Sequence, residues 1–299
     1  MPKPGAKIFS RASCIFENNV LILQIVTTSV GTRFMKHISA TFLAAVLCEA
    51  VLTACSGGES DNIDFGEAIA ERRVKLAEEE GSPECKVLLR IKYAREEQGA
   101  AAQAINHAIE SRLLGMERLP MQEAADSFAN EYTRRYRHDM GPLYRADRAD
   151  TARRAWYEYR YVTTTDTQRE RKGVVTYLIS TDRYEGGAHG ISQLLAINFN
   201  IKTGKPLTLD DVFVPGYSSE LNKLLLQALK DKVGAGSMQE LNEKGYLLSM
   251  DMYAPRNFIL GDEAITFIYN IYEIAPYSTG KTELTLDYDD LEKILKKTE

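Results

Sequence analysis

An α+β fold, a mostly antiparallel sheet with helices packed on one face, is what the sequence predicts. Three patterns predict it: two apolar helical stripes between residues 98 and 136, twofold alternation in three segments between 154 and 199, and a leucine stripe followed by a closing hairpin. The chain has 299 residues, ample for a large packed domain.

Taken in order, residues 1–34 read as an upstream extension outside the true product, with translation starting at Met35. The alternative is a membrane anchor around 20–30, which Glu17, Asn18 and Asn19 cut short of a span. Residues 35–54 read as a lipoprotein signal peptide. Lys36 and His37 give a basic start, 38–47 an apolar run, and Leu52-Thr53-Ala54-Cys55 a lipobox. Ala54 is small enough for a peptidase to close around the backbone, and the Cys55 thiol is the group acylated before the cut. Residues 55–83 are expected to be a lipidated polar tether, Ser56-Gly57-Gly58-Glu59-Ser60-Asp61-Asn62, leading into a solvated helix over 64–80, where Ile69 and Leu76 are almost the only apolar side chains. The exported α+β domain then occupies 84–299.

Gly81-Ser82-Pro83 breaks the helical run, and 87–93 reads as the first strand. Ile105, Ile109 and Leu113 recur every fourth residue beside Ala101 and Ala108, which makes one buried helical stripe over 98–114. A second helix is expected over 121–136, with Ala125, Phe128, Ala129 and Tyr132 inward and the pattern changing after Gly141-Pro142. Ala155, Tyr157, Tyr159 and Tyr161 then share one strand face, opposite Arg154, Trp156, Glu158 and Arg160. Val175, Tyr177 and Ile179, and Leu195, Ile197 and Phe199, repeat the alternation. With connectors at 168–172 and 185–190, this predicts an antiparallel meander. Thr203-Gly204-Lys205 is a turn, and Ser218 or Ser219 caps a helix whose Leu221, Leu224, Leu225, Ala228 and Leu229 face a core. Ile265, Phe267 and Tyr269 pair with 283–286 in a last hairpin, and a short helix over 288–297 turns Leu291, Ile294 and Leu295 inward.

Charge and cysteine usage narrow the function. Five of the 37 basic and two of the 42 acidic residues lie in 1–54, so the mature part keeps 32 and 40, a net charge of about −8. That balance argues against general nucleic-acid binding. Cys14 and Cys48 are removed with the leader and Cys55 is lipidated. Cys85 is then the lone free thiol, with no base beside it to make it a nucleophile.

Three stretches carry candidate sites. His189 follows Gly186-Gly187-Ala188, close to Asp182, Tyr184 and Glu185. Imidazole near its pKa in a glycine turn suits a general base or a metal ligand. The blander expectation, and the favoured one, is that Gly186 and Gly187 allow a tight turn and His189 ties it down with a buried hydrogen bond. His107 and His138 fall on helical patterns, so no second His stands at ligand spacing, and no metal or cofactor is expected. A band rich in Arg and Tyr, 134–172, has the composition of a grip for anionic polymers or proteins, but its interleaved Asp and Glu favour a solvated face. The loop 272–280 is longer than a hairpin needs. Its Ala275-Pro276-Tyr277 either presents an exposed aromatic anchor or folds Tyr277 onto the core.

The run 177–190, with Tyr184-Glu185-Gly186-Gly187-Ala188-His189-Gly190 at its end, carries further identity. Thr203-Gly204-Lys205, Leu209-Asp210-Asp211-Val212-Phe213, Asn257-Phe258-Ile259-Leu260 and the stretch 272–280 add to it. Together they resemble a bacterial exported domain of largely unknown role shared by lysozyme-sensing anti-sigma factors, by the non-catalytic region of certain peptidoglycan deacetylases, and by many lipoproteins. The resemblance spans about 85–297. It implies an α+β fold, exposure to the cell envelope and, in the anti-sigma members, binding of lysozyme, without implying catalysis. The stretch before the signal is too short to hold a sigma factor, and a lipid anchor cannot pass a signal through the membrane as a spanning helix can, so a direct role in transcription is not expected.

Two expectations follow. The first is a non-catalytic binding module held by its lipid at the bacterial envelope, on the outer membrane or facing the periplasm, that engages a lysozyme-like protein or cell-wall glycan (peptidoglycan) through Tyr184, His189, Pro276 and Tyr277. The second is an envelope hydrolase acting through His189 and a nearby carboxylate.

Overall fold

Small side chains on one face and charges on the other make a strand of the segment that reads as a solvated helix. In the computed structural model, which describes residues 62–116 and 119–297, β1 (Phe65–Lys75) pairs antiparallel with β2 (Glu84–Ala94) from Phe65 opposite Ala94 to Lys75 opposite Glu84. Ala68 and Ala70 point into the core while Glu67, Glu71, Arg73 and Lys75 point out. Alanine carries too little apolar bulk to register as alternation, and the large residue between them, Ile69, faces outward. The helix expected over 64–80 is therefore absent, and the folded domain begins upstream of residue 84. The extension 1–34, the signal peptide 35–54 and the lipidation site Cys55 lie outside the described residues.

Two helices follow. α1 (Ala100–Ile109) passes into a π-helical turn over Glu110–Leu114, ended by Gly115 in the left-handed region. α2 (Met121–Asp147) runs through Gly141-Pro142, where a break was expected. Pro142 has no N–H for the preceding turn, but the buried Tyr144 beyond it donates its hydroxyl to Glu79 Oε1 at 2.8 Å. Tertiary contact thus holds the last turn that local preference would release. The strand expected from 154 instead begins at Tyr159. Asp150 accepts the N–H of Ala152 and starts a 3-10 helix over Thr151–Tyr157.

β3 (Tyr159–Gln168), β4 (Val174–Glu185) and β5 (Ile191–Asn200) form the expected antiparallel meander. β2 and β3 are parallel, with α1 and α2 as the crossover, which gives one five-stranded sheet in the order β1-β2-β3-β4-β5. Val87, Leu89 and Ile91 of β2 meet Ile105, Ile109, Ala125 and Ala129 of the helices in a dry core. α2 lies over β1 and β2 and α1 over β2, and Val175, Tyr177, Ile179 and Phe199 of β4 and β5 close the same core, so that face is uncovered only at its far end, around Thr181, Arg183 and Gln193.

A second layer begins with α3 (Leu209–Val212), where Thr208 and Asp211 form a reciprocal capping box. The Leu221, Leu225 and Leu229 stripe of α4 (Ser218–Val233) packs in one cluster with Ile265 and Phe267 of β7 (Ala264–Tyr269) and Leu284 and Leu286 of β8 (Thr282–Asp287). Between them lie α5 (Met238–Glu243) and β6 (Phe258–Leu260), and β6-β7-β8 is an antiparallel three-stranded sheet. The last helix, α6 (Tyr288–Leu291), is a single turn rather than the expected run to 297. The chain leaves it to pair with Phe213: Val214 N–H donates to Ile294 and Lys296 N–H to Val212.

Amide side chains join the two sheets at the edge of β5. Asn257 accepts from Ala196 N–H at 2.8 Å and donates to the Leu194 carbonyl at 2.7 Å. Asn270 accepts from Leu194 N–H at 2.8 Å. From β5 itself, Asn198 donates to the Phe258 carbonyl at 2.8 Å and accepts from Leu260 N–H at 3.0 Å and from the Thr176 hydroxyl at 2.8 Å. Asn198 is 1% exposed, so these bonds form without competing water.

Candidate functional site

The β4–β5 turn needs its glycines. Gly186 (φ +79°) and Gly187 (φ +92°) both occupy the left-handed side, and a Cβ on Gly186 would stand 2.4 Å from the Trp156 carbonyl oxygen. Tyr184, half-buried beneath the turn, fastens it: its hydroxyl lies 2.9 Å from the Gly187 carbonyl and 3.3 Å from that of Ala155. The expectation that His189 ties the turn with a buried hydrogen bond is therefore overturned. His189 is exposed, and Tyr184 performs that task instead.

His189 instead meets the second candidate loop. Its ring stacks against Tyr277 with centroids 4.1 Å apart and planes tilted by 34°, and Nε2 makes a long 3.4 Å contact with the Tyr272 hydroxyl. Pro276, exposed, opens the 3-10 turn Tyr277–Thr279 that aims Tyr277 at the imidazole. Tyr277 is half-buried, neither a bare anchor nor folded onto the core. The exposed aromatic is Tyr272, 58% accessible and with φ +70°, a strained backbone for a tyrosine. Sequence reasoning placed the loop but missed this residue, since no residue type betrays positive φ outside glycine and asparagine. Two loops distant in sequence thus form one patch of His189, Tyr272 and Tyr277.

The patch lacks the equipment of a general base. Asp182 accepts a short hydrogen bond from the Ser192 hydroxyl, while Glu185 accepts from Tyr132 at 2.7 Å and faces Arg183 at 3.6 Å. No carboxylate among the described residues orients His189. Cys85 is buried, and desolvation with the added charge of Glu185 pushes its thiol up to about 12, which removes it as a nucleophile. No group of three or more His, Cys, Asp or Glu among the described residues is placed to hold a metal ion. What the patch offers is ring faces, hydroxyls and an imidazole, the chemistry of recognition.

Part of the Arg-rich band resolves into paired charges, while Arg137 and Arg154 reach the backbone carbonyls of Lys75 and Glu80. Arg134 and Arg135 both bind Glu131, whose carboxyl these hydrogen bonds hold near 2; Arg153 binds Asp147 and Asp150; and Arg148 binds Glu79. Tyr136, Tyr144 and Tyr157 are buried. Trp156 stays exposed, with the Arg153 guanidinium 5.8 Å over its ring.

The second layer, from α3 through β8, also carries the Tyr272–Tyr277 loop and the Asn257 and Asn270 links. Residues 210–289 match the model of the family described as "Protein of unknown function (DUF3298)". A DUF3298 family member from Bacteroides fragilis NCTC 9343 has a similar structure, with a TM-score of 0.72 and 26% identity over 79% of this chain and 94% of its own. A DUF3298 family protein from Pseudomonas aeruginosa PAO1 shares the fold with a TM-score of 0.56 and 22% identity, over 80% of this chain and 97% of its own. No curated protein matches the chain significantly. The DUF3298 model covers the second layer, whereas the solved structures extend over most of the chain.

Proposed function

We propose that this protein is a non-catalytic binding module anchored by a lipid on Cys55 at the bacterial cell envelope. It recognises a lysozyme-like protein, or cell-wall glycan, through the patch of His189, Tyr272 and Tyr277. One observation carries the reading: rings from two loops far apart in sequence stack at 4.1 Å on the exposed surface, with no carboxylate among the described residues beside the imidazole. Loop-borne tyrosines of this kind supply large contact area with little ordering cost, which is how recognition anchors work. The envelope address rests on the lipobox, and the ligand class on the resemblance to exported lysozyme-sensing domains. The hydrolase alternative loses the carboxylate that it needs.

Two experiments test the reading. In the first, the full chain is titrated with lysozyme and with purified peptidoglycan, and then repeated with Tyr272→Ala and Tyr277→Ala. Binding to one of the two ligands that weakens about tenfold or more in the variants supports the patch. Absence of binding to both ligands overturns it, as does a wall-degrading activity that His189→Ala abolishes without changing the melting temperature. The second follows the anchor: Cys55→Ala yields an unprocessed precursor without palmitate label, and Met35→Leu abolishes the product. Equal labelling in wild type and Cys55→Ala removes the lipid anchor.

A further inference from the structure

The uncovered end of β4 and β5, from Ile179 toward Arg183, is the floor of a groove. A cleft of about 650 Å³ is floored by Ile179, Thr181 and Leu195, and a second hollow of about 600 Å³ continues it along β5. Arg112 and Arg256 line both, one from each wall. Arg112 projects from the π-helical turn that ends α1, a local widening of the helix often found at functional sites. Arg256 sits between the buried residues Pro255 and Asn257, and the double link of Asn257 to β5 fixes the backbone that carries it.

We propose that this groove binds an acidic oligosaccharide, whose carboxylates are held by Arg112 and Arg256. Both residues are exposed and neither is ion-paired with a carboxylate among the described residues, in contrast to Arg134 and Arg135 of α2. In a chain whose mature part is acidic, two unmatched guanidiniums on facing walls create a local positive field that draws anions in. The fork of an arginine matches a carboxylate in two parallel hydrogen bonds. The acid in the groove, Glu273, receives the Tyr253 hydroxyl at 3.4 Å, and Arg183 faces Glu185, so the two wall arginines remain the principal anion contacts.

The edge chemistry selects a sugar over a peptide. An extended peptide gains its affinity in a sheet-lined groove by adding a strand to the edge. Here the Leu194 and Ala196 N–H groups and the Leu194 carbonyl are already taken by Asn257 and Asn270, so no backbone ladder is on offer. What remains is Tyr253, Thr181 and the exposed amide of Gln193, groups that suit the apolar faces and hydroxyls of sugar rings. The site is separate from the aromatic patch and does not rest on the function proposed for it.

The test uses tetragalacturonate as the acidic sugar, its methyl ester as the neutral control and tetraglutamate as the acidic peptide, each titrated into the full chain by calorimetry. Tetragalacturonate is expected to bind, to weaken as salt rises, and to exceed its ester about tenfold. Arg112→Ala with Arg256→Ala is expected to lower affinity tenfold or more at an unchanged melting temperature, while Tyr277→Ala leaves it unaltered. No binding of tetragalacturonate, or equal binding by the double arginine variant, overturns the site. Tetraglutamate binding as tight as tetragalacturonate overturns the ligand class.

Discussion

The five-stranded sheet closes its two edges with the same chemical device in opposite surroundings. At β1, Gln122 of α2 stands in for a neighbouring strand: it accepts from Ile69 N–H at 3.1 Å and donates to the Ile69 carbonyl at 2.9 Å, in the open. Arg72 adds Asn130 and Asp126 at 2.8 Å each. At β5, Asn198, Asn257 and Asn270 play the equivalent part, with Asn198 and Asn257 buried. An amide that replaces a strand adds little where water competes for its partners. Where water is excluded it holds considerable stability, because its loss strands the groups it paired. The exposed edge is blunted against other chains, while the buried edge joins two sheets into one body and fixes one wall of the groove.

The largest effect is expected at Asn198. Asn198→Leu leaves the Phe258 carbonyl, the Leu260 N–H and the Thr176 hydroxyl without this partner in the core, a cost of about 2–6 kcal/mol from the two backbone groups alone. Urea and thermal melts should show it as a large fall in midpoint. A cost below about 1 kcal/mol would erase the distinction between the two edges. Gln122→Ala comes next, at about 1 kcal/mol or less, because water takes over the Ile69 groups. Its sharper signature is faster amide exchange at Ile69 than at Ala70.

A smaller effect follows acidification. The Asp126 carboxyl is held below its usual 3.8 first by the Gln122 amide and then by Arg72. A depressed carboxylate contributes stability that is fully present above 3.8 and lost as pH falls through its lowered folded value. Asp126→Asn should therefore melt below wild type at neutral pH, by about 0.5 kcal/mol or less because the pair is over a third exposed, and converge with it in acid. A gap that widens in acid would reverse the assigned sign. Smallest of all, His189→Ala should shift stability by no more than about 0.5 kcal/mol, since the turn is fastened by Tyr184. A loss of several kcal/mol there would restore the structural role expected from sequence.

What could be read in the sequence divides along similar lines. Large apolar residues at regular spacing announced α1, the meander and the hairpin of β7 and β8, because bulk and period coincide in Ile105, Tyr177 and Phe267. β1 escaped because its inward residues are alanines and its pairing partner lies beyond a turn. Pro142 was overruled by a contact with Glu79, far away in the chain. At the patch, glycine spacing located the turn and proline the loop, but their meeting depends on long-range packing, and Tyr272 carries no local mark of its geometry. The groove was less legible still. Arg112 and Arg256 are set apart from other arginines by facing each other across one cleft, which composition cannot reveal, and Asn257 and Asn270 look like ordinary polar loop residues.

The parallel seam between β2 and β3 bears on how quickly the molecule assembles. The β1–β2 hairpin and the β3–β5 meander join neighbours in sequence and close on short loops, within microseconds for each hairpin. Cys85 can meet Tyr159 only after both crossover helices have been spanned, so the entropy of that closure must be lost before its contacts form. That closure is one of the long-range encounters the fold requires, beside the docking of Asn257 and Asn270 on β5. Substitutions at buried Thr163 in that seam should slow refolding if the seam forms in the folding transition state, and mainly hasten unfolding if it forms later, which a chevron plot distinguishes.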